Sequence, residues 1–199
     1  MPQRTVYLET FGCQMNELDS ELVAGSLRAL GYAFTTDASA ADVVLYNTCS
    51  VREQAEQKVW SRLGELKARK AAHPDLVVGV LGCLAERDGV DLIKRMPVVD
   101  VMCGPGELDK LPTLLDNAVR TRESIIAGGT TEPDGRPRIR SASQVALQGN
   151  TSRRSATLAA AEDSLELLDL SRSVSPTDHG GTAYVRITRG CNKFCTYCV

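Results

Sequence analysis

One short pattern occurs three times in the N-terminal half of the chain, and it narrows the fold more than any other feature. An apolar or β-branched run ends at a small or polar residue, a cysteine follows, and a helical stretch comes next. Thr5-Val6-Tyr7-Leu8-Glu9-Thr10 leads to Phe11-Gly12-Cys13, Asp42-Val43-Val44-Leu45-Tyr46 to Asn47-Thr48-Cys49, and Leu76-Val77-Val78-Gly79-Val80-Leu81 to Gly82-Cys83. Strand-like runs alternating with helical ones predict an α/β fold with an open parallel sheet. The third run is nearly all apolar, as the buried centre of such a sheet requires.

The carboxyl ends of parallel strands lie along one edge, which is where ligands bind. Three cysteines far apart in sequence are thereby brought to one place. A single cysteine there would read as a small buried apolar residue. Three at equivalent strand ends read as a three-thiolate site that leaves one iron of a cubane cluster open. Cys103 also follows a strand-like run, 98–102, but a fourth ligand would close the site, so it is read as structural.

Helices are expected between these strands. One opens near Asn16–Ser20, carries Val23, Leu27 and Leu30 on one face, and stops at Gly31. Ser50 with Glu53 three residues on has the capping-box pattern, and Ala55, Val59, Leu63 and Leu66 line the helix after it. That helix is over by His73-Pro74. A shorter one is expected from about Arg87 to Arg95, then one over 108–119 and a last strand at Ser124-Ile125-Ile126-Ala127. From 128 to 181 Gly, Pro, Ser, Thr and Arg dominate, which reads as a linker with a short helix at 158–170. Arg136, Arg138, Arg140, Arg153 and Arg154 make it basic. Without interleaved aromatic residues this is a solvated stretch before it is an RNA contact. His73 and His179 read as ordinary loop residues.

A second cysteine constellation closes the sequence. The alternating run Ala183–Thr188 reads as a strand, and Cys191-Asn192-Lys193-Phe194-Cys195-Thr196-Tyr197-Cys198-Val199 follows it. Thiolates select iron–sulfur clusters, zinc or copper(I). Three on one short loop again leave an iron open, whereas the ferredoxin run saturates its irons with a fourth cysteine. Zinc is the alternative, but zinc sites pair C-x-x-C elements into four closed ligands, and only one such pair is present.

Composition sets outer bounds. The formal net charge of −2 over 199 residues gives no strong global field toward nucleic acid. No apolar run is long enough to span a membrane, and the N-terminus lacks a signal-peptide core. Seven cysteines without a secretory signal argue for reduced thiols and a cytoplasmic location.

Glu9-Thr10-Phe11-Gly12-Cys13-Gln14-Met15-Asn16, Asn47-Thr48-Cys49-Ser50-Val51-Arg52-Glu53 and Leu81-Gly82-Cys83 resemble the three cysteine motifs of the methylthiotransferase N-terminal domain. Arg189-Gly190-Cys191 through Cys198-Val199 resembles that family's radical S-adenosylmethionine (SAM) motif. Within the family the first two motifs are most similar to the tRNA branch.

The resemblance implies three segments: an N-terminal methylthiotransferase domain over 1–127, a linker over 128–181, and over 182–199 the start of a truncated radical SAM β/α barrel. It implies two [4Fe–4S] clusters, one on Cys13, Cys49 and Cys83, the other on Cys191, Cys195 and Cys198. SAM binds the second, with Tyr197 near its adenine. The implied reaction adds a methylthio group to carbon 2 of N6-dimethylallyladenosine (isopentenyladenosine) beside the tRNA anticodon. A 5′-deoxyadenosyl radical takes the hydrogen, the N-terminal cluster supplies sulfur, and a second SAM supplies the methyl group. A tRNA substrate, a reducing partner such as flavodoxin or ferredoxin, a monomeric state and no membrane contact are the corresponding expectations. Because the rest of a barrel does not follow Val199, the chain reads as an N-terminal piece, inactive alone. Modification of a ribosomal protein side chain and a non-enzymatic metal-binding module are the alternatives.

Overall fold

The computed structural model describes residues 3–50, 52–127, 143–147 and 184–185. Strand β1 (Thr5–Phe11) alternates its side chains between two layers and leads into helix α1 (Gln14–Ala29). Leu18, Leu22, Val23 and Leu27 form the buried face of α1. Its end is fixed by Gly31 at φ +88: Gly31 N–H donates to Arg28 O (2.9 Å) and Tyr32 N–H to Leu27 O (3.1 Å), the paired bonds of a Schellman turn. A two-residue strand β2 (Ala33–Phe34) follows, then β3 (Val43–Thr48), α2 (Glu53–Ala72), β4 (Val77–Gly82), α3 (Cys83–Arg95), β5 (Val101–Cys103), α4 (Leu111–Ala127) and β6 (Gln144–Ala146).

All strand pairs are parallel and the sheet order is β2-β1-β3-β4-β5-β6. Every residue of β3 and β4 is buried, as their apolar composition requires of central strands. One layer, carrying α2 and α3, packs Val59, Leu63, Leu84 and Leu92 against Val44, Tyr46, Val78 and Val80. The other, carrying α1 and α4, packs Leu22, Leu27, Leu111 and Leu115 against Val6, Val43, Leu45 and Leu81. The α/β reading with an open parallel sheet therefore holds. The chain leaves β1 toward β2 on one side and returns to β3 on the other, so the strand order reverses between β1 and β3. Such a reversal opens a crevice at the carboxyl ends of the two strands.

Several local expectations are corrected. The stretch Ser124–Ala127 is the last turn of α4, not a strand, because Leu115, Ala118, Val119 and Arg122 continue one buried helical face up to it. The sixth strand comes instead from 144–146, inside the range read as linker, where it pairs with β5. Helix α3 opens at Cys83 rather than near Arg87, and Gly89 (φ +51) kinks it. The N-cap of α2 is Arg52, not Ser50, and Glu53 is its first helical residue. Strand β5 is shorter than 98–102 and shifted forward, Val98 and Val99 lying buried in the turn before it. The basic stretch 136–154, the helix at 158–170 and the loop 191–199 lie outside the described residues. So does most of the strand expected at 183–188, of which Tyr184 and Val185 carry no regular assignment.

Candidate metal centre at the carboxyl edge of the sheet

Sheet register determines where the first three cysteines go. Phe11 is level with Thr48, and Thr48 with Gly82. One step further along each strand stand Gly12, Cys49 and Cys83, with Cys13 one residue beyond Gly12. The three cysteines thus stand at the ends of adjacent strands, two of them flanking the β1/β3 reversal. Cys13 is the N-cap of α1 and Cys83 the first residue of α3, while Cys49 opens the loop to α2. Cys49 is buried, and Cys13 and Cys83 are half-buried.

The backbone there is shaped for close approach. Gly82 has φ +88 and ψ −160, a conformation essentially confined to glycine. A Cβ on it would lie 2.5 Å from Asn47 Oδ1 and would also meet the Thr48 carbonyl. Gly12 has φ +153, and a Cβ on it would come within 2.6 Å of the Cys49 Cβ. Two glycines therefore let three strand ends converge.

A buried amide pair holds the loops. Asn16 Nδ2 donates to Asn47 Oδ1 (3.2 Å) and Thr48 O (3.1 Å). Asn47 Nδ2 donates in return to Asn16 O (2.7 Å) and Ser20 Oγ (2.9 Å). Asn16 Oδ1 accepts from the Cys13 backbone N–H and from the Cys13 thiol, each at 3.3 Å. Asn16 is 2% exposed and Asn47 fully buried, so each bond replaces a lost contact with water. Outside this pair two arginines clamp the rim: Arg52 Nη1 donates to Gly12 O (2.9 Å), and Arg87 Nη1 to Ser50 O (3.4 Å). Arg87 is itself held by Glu56 and Asp88.

The thiols sense one another. Burial, then the neighbouring Cys49, Asp19 and Cys13, push the Cys83 thiol up to about 11. Three thiolates here would repel without a cationic centre between them. Among the described residues no group of three or more His, Cys, Asp or Glu side chains has the geometry of a formed metal site. The donor set nevertheless fits an iron–sulfur cluster in kind. Three soft ligands stand at one edge, two glycines let the strand ends that carry them approach closely, and the hydroxyl of Ser50, next to Cys49, is buried without a partner.

Cys103 lies deeper. It is level with Leu81, two residues before Cys83, and its thiol donates to Glu107 O at 3.1 Å. Burial drives its pKa strongly upward, so it behaves as a packed apolar residue. A groove of about 500 Å³ between β1 and α2 is lined by Glu9, Phe11, Gln54, Gln57, Lys58 and Arg62, with no cysteine in its lining. Its Arg62 is already paired to Glu9 (3.7 Å) and Glu65 (3.3 Å). Cys191, Cys195, Cys198 and Tyr197, the residues expected to form the second site, lie outside the described residues.

Reading by residue type found the thiols and passed over Gly12, Gly82, the Asn16–Asn47 pair and Arg52 as organisers of the site. The available signal was their position: each falls within two or three residues of a cysteine.

Curated relatives align along nearly the whole chain. A Rhodopirellula baltica protein is 40% identical over 196 residues, covering 98% of this chain and 36% of its own length. A Ralstonia nicotianae protein is 39% identical over 198 residues, with the same two shares. One from a Sulfurihydrogenibium species is 38% identical over 193 residues, covering 97% of this chain and 37% of its own. All three are named tRNA-2-methylthio-N(6)-dimethylallyladenosine synthase. The chain thus spans a little over a third of the length of these relatives. Residues 5–104, which contain β1 to β5 and all three strand-end cysteines, match the family described as Uncharacterized protein family UPF0004, and the chain belongs to that family.

Proposed function

We propose that this chain is the N-terminal part of a tRNA methylthiotransferase acting on carbon 2 of N6-dimethylallyladenosine beside the anticodon. The observation that carries the reading is the register of Cys13, Cys49 and Cys83 at the ends of three adjacent parallel strands. The relatives, which share this stretch and bear the tRNA synthase name, support the substrate. In this reading Cys13, Cys49 and Cys83 hold one [4Fe–4S] cluster, and Cys191, Cys195 and Cys198 a second that binds SAM beside Tyr197. When bound, the clusters and SAM supply the radical and sulfur chemistry.

The chain's own residues do the positioning. The Asn16–Asn47 pair fixes the Cys13 loop against the end of β3. Arg52 ties the Gly12 carbonyl to the start of α2. Burial of Cys49 at 3% exposure keeps water from that ligand. A reducing partner such as flavodoxin or ferredoxin, a monomeric state, a cytoplasmic location and no membrane contact complete the proposal. Among the described residues no helix is long and apolar enough to cross a membrane.

The test is nucleoside mass spectrometry of tRNA from cells deleted for the gene. Loss of the 2-methylthio group, restored by the intact gene but not by one carrying Cys49→Ala, is the expected result. Unchanged 2-methylthio adenosine in the deletion strain would remove the tRNA reading and favour a ribosomal protein substrate.

A further inference from the structure

Ser50 stands apart from the other polar groups at the cysteine edge. The residue is 8% exposed, and its hydroxyl has no hydrogen-bond partner. Its neighbours' hydroxyls are all engaged. Thr48 Oγ1 donates to Leu81 O (2.8 Å), Thr10 and Ser20 share a bond of 2.7 Å, and Ser20 also accepts from Asn47. Even the Ser50 carbonyl is used, by Arg87. Among the described residues it is the only buried hydroxyl left without a partner.

Buried hydroxyls are nearly always bonded, because they have given up water and need a replacement. One that is sealed in and unbonded suits a partner that arrives after folding. Its place in the chain indicates which. Ser50 directly follows Cys49 at the end of β3, the middle of the three cysteine-bearing strands. Sulfur carrying negative charge accepts O–H donors, and such bonds to ligand and bridging sulfurs help set a cluster's potential.

We propose that Ser50 is a positioning residue whose hydroxyl donates a hydrogen bond to a sulfur of the group held by Cys13, Cys49 and Cys83. The inference rests on the reading that these thiolates bind an iron–sulfur cluster. Reduction adds negative charge to the sulfurs and strengthens the bond, so the hydroxyl favours the reduced form. A conventional structural serine would instead hold the fold before any cluster was present.

Those two roles separate experimentally. In the cluster-free chain Ser50→Ala loses no bond, so its urea midpoint equals or exceeds that of the wild type. A lowered midpoint means that Ser50 has a structural partner and overturns the proposal. The loaded arm uses the 199-residue chain carrying Cys191→Ala, Cys195→Ala and Cys198→Ala, reconstituted anaerobically so that a single cluster remains. There Ser50→Ala shifts the midpoint potential downward and alters the electron paramagnetic resonance spectrum, and Ser50→Thr restores both. If Ser50→Ala fails to retain iron, recovery by Ser50→Thr supports the role, while loss in both variants refutes it. An unchanged potential and spectrum in loaded Ser50→Ala sinks the serine's role alone. A Ser50-containing parent that takes up zinc, or no iron, sinks the cluster reading and this inference with it.

Discussion

The two ends of the sheet carry opposite kinds of buried polar chemistry. At the carboxyl end the buried groups are mostly neutral amides, hydroxyls and thiols, arranged around strained glycines. At the amino end Lys70, Asp100 and Arg122 form a charged triad, 2%, 2% and 4% exposed. Asp100 Oδ1 accepts from Arg122 Nε (2.9 Å) and Nη2, and Oδ2 accepts from Lys70 Nζ and the Val78 N–H (2.8 Å). Lys70 also donates to Val98 O (2.8 Å). One carboxylate thereby ties α2 and α4 to β4 and the start of β5. The difference is instructive: the amino end closes the fold by gathering two cations on one buried carboxylate, and the carboxyl end presents ligands on a backbone that resists substitution.

The sharpest break in this comparison is Asp100→Ala. It strands two cations in the interior, and removing one member of a buried ion pair costs about 3–5 kcal/mol. Urea unfolding of the variant is expected to show a loss of that size. Iron uptake by the molecules still folded should be normal, since the cysteine edge is at the far end of β4. A loss below about 1 kcal/mol, the range of exposed pairs, would mean that the triad does not hold the amino end.

The corresponding break at the carboxyl end is Gly82→Ala. Its backbone conformation costs a non-glycine residue about 1–3 kcal/mol, and the new Cβ meets Asn47 Oδ1 and the Thr48 carbonyl. Here the stability loss should be smaller than for Asp100→Ala, but iron uptake at Cys13, Cys49 and Cys83 should fall sharply. Gly64→Ala is the control. That glycine lies in α2 with open space around it, and alanine there should gain about 0.5–1 kcal/mol and leave iron uptake unchanged. Full iron uptake by Gly82→Ala would show that the strained turn does not position Cys83.

How much of this was legible follows from which interactions are local. Strands β1, β3 and β4 were readable because their runs of β-branched, aromatic and apolar residues are short and followed by glycine or a polar turn. From those runs alone the three thiols could be placed at one edge. Helix boundaries were less so. The Ser50–Glu53 spacing satisfies a capping box, yet Arg52 occupies the N-cap position of α2 without a side-chain cap, and the Ser50 hydroxyl bonds to no helical N–H. The sequence 124–127 has β-branched residues but continues the buried stripe of α4. Strand β6 was missed because three residues in a polar stretch give no period to read, and only pairing to β5 makes them a strand. The Lys70–Asp100–Arg122 triad was invisible for a different reason. Its members are 30 and 22 residues apart in sequence, and their charge is indistinguishable from that of solvated helix faces until the chain folds.

The last contrast concerns the protonation of Lys70. Burial lowers its pKa from 10.5 to about 8, ahead of the opposing pull of Asp100, and Arg122 adds to the lowering. Unfolding returns it to the ordinary lysine value. Between about 8 and 10.5 the folded chain has therefore given up a proton that the unfolded chain keeps. By linkage the group's contribution to stability rises with pH through that window, by at most about 1.4 kcal/mol per pH unit, and is flat below it. Lys70→Met removes the titrating group while keeping its apolar stem. Tyrosines and thiols that titrate in the same range are common to both proteins and cancel in the difference. The stability of wild type minus Lys70→Met, from urea unfolding at pH 7 to 10, should therefore climb above pH 8. A flat difference would mean that Asp100 and the Val98 carbonyl offset the burial of the ammonium fully, which would make the amino end a matched ion pair rather than a strained one.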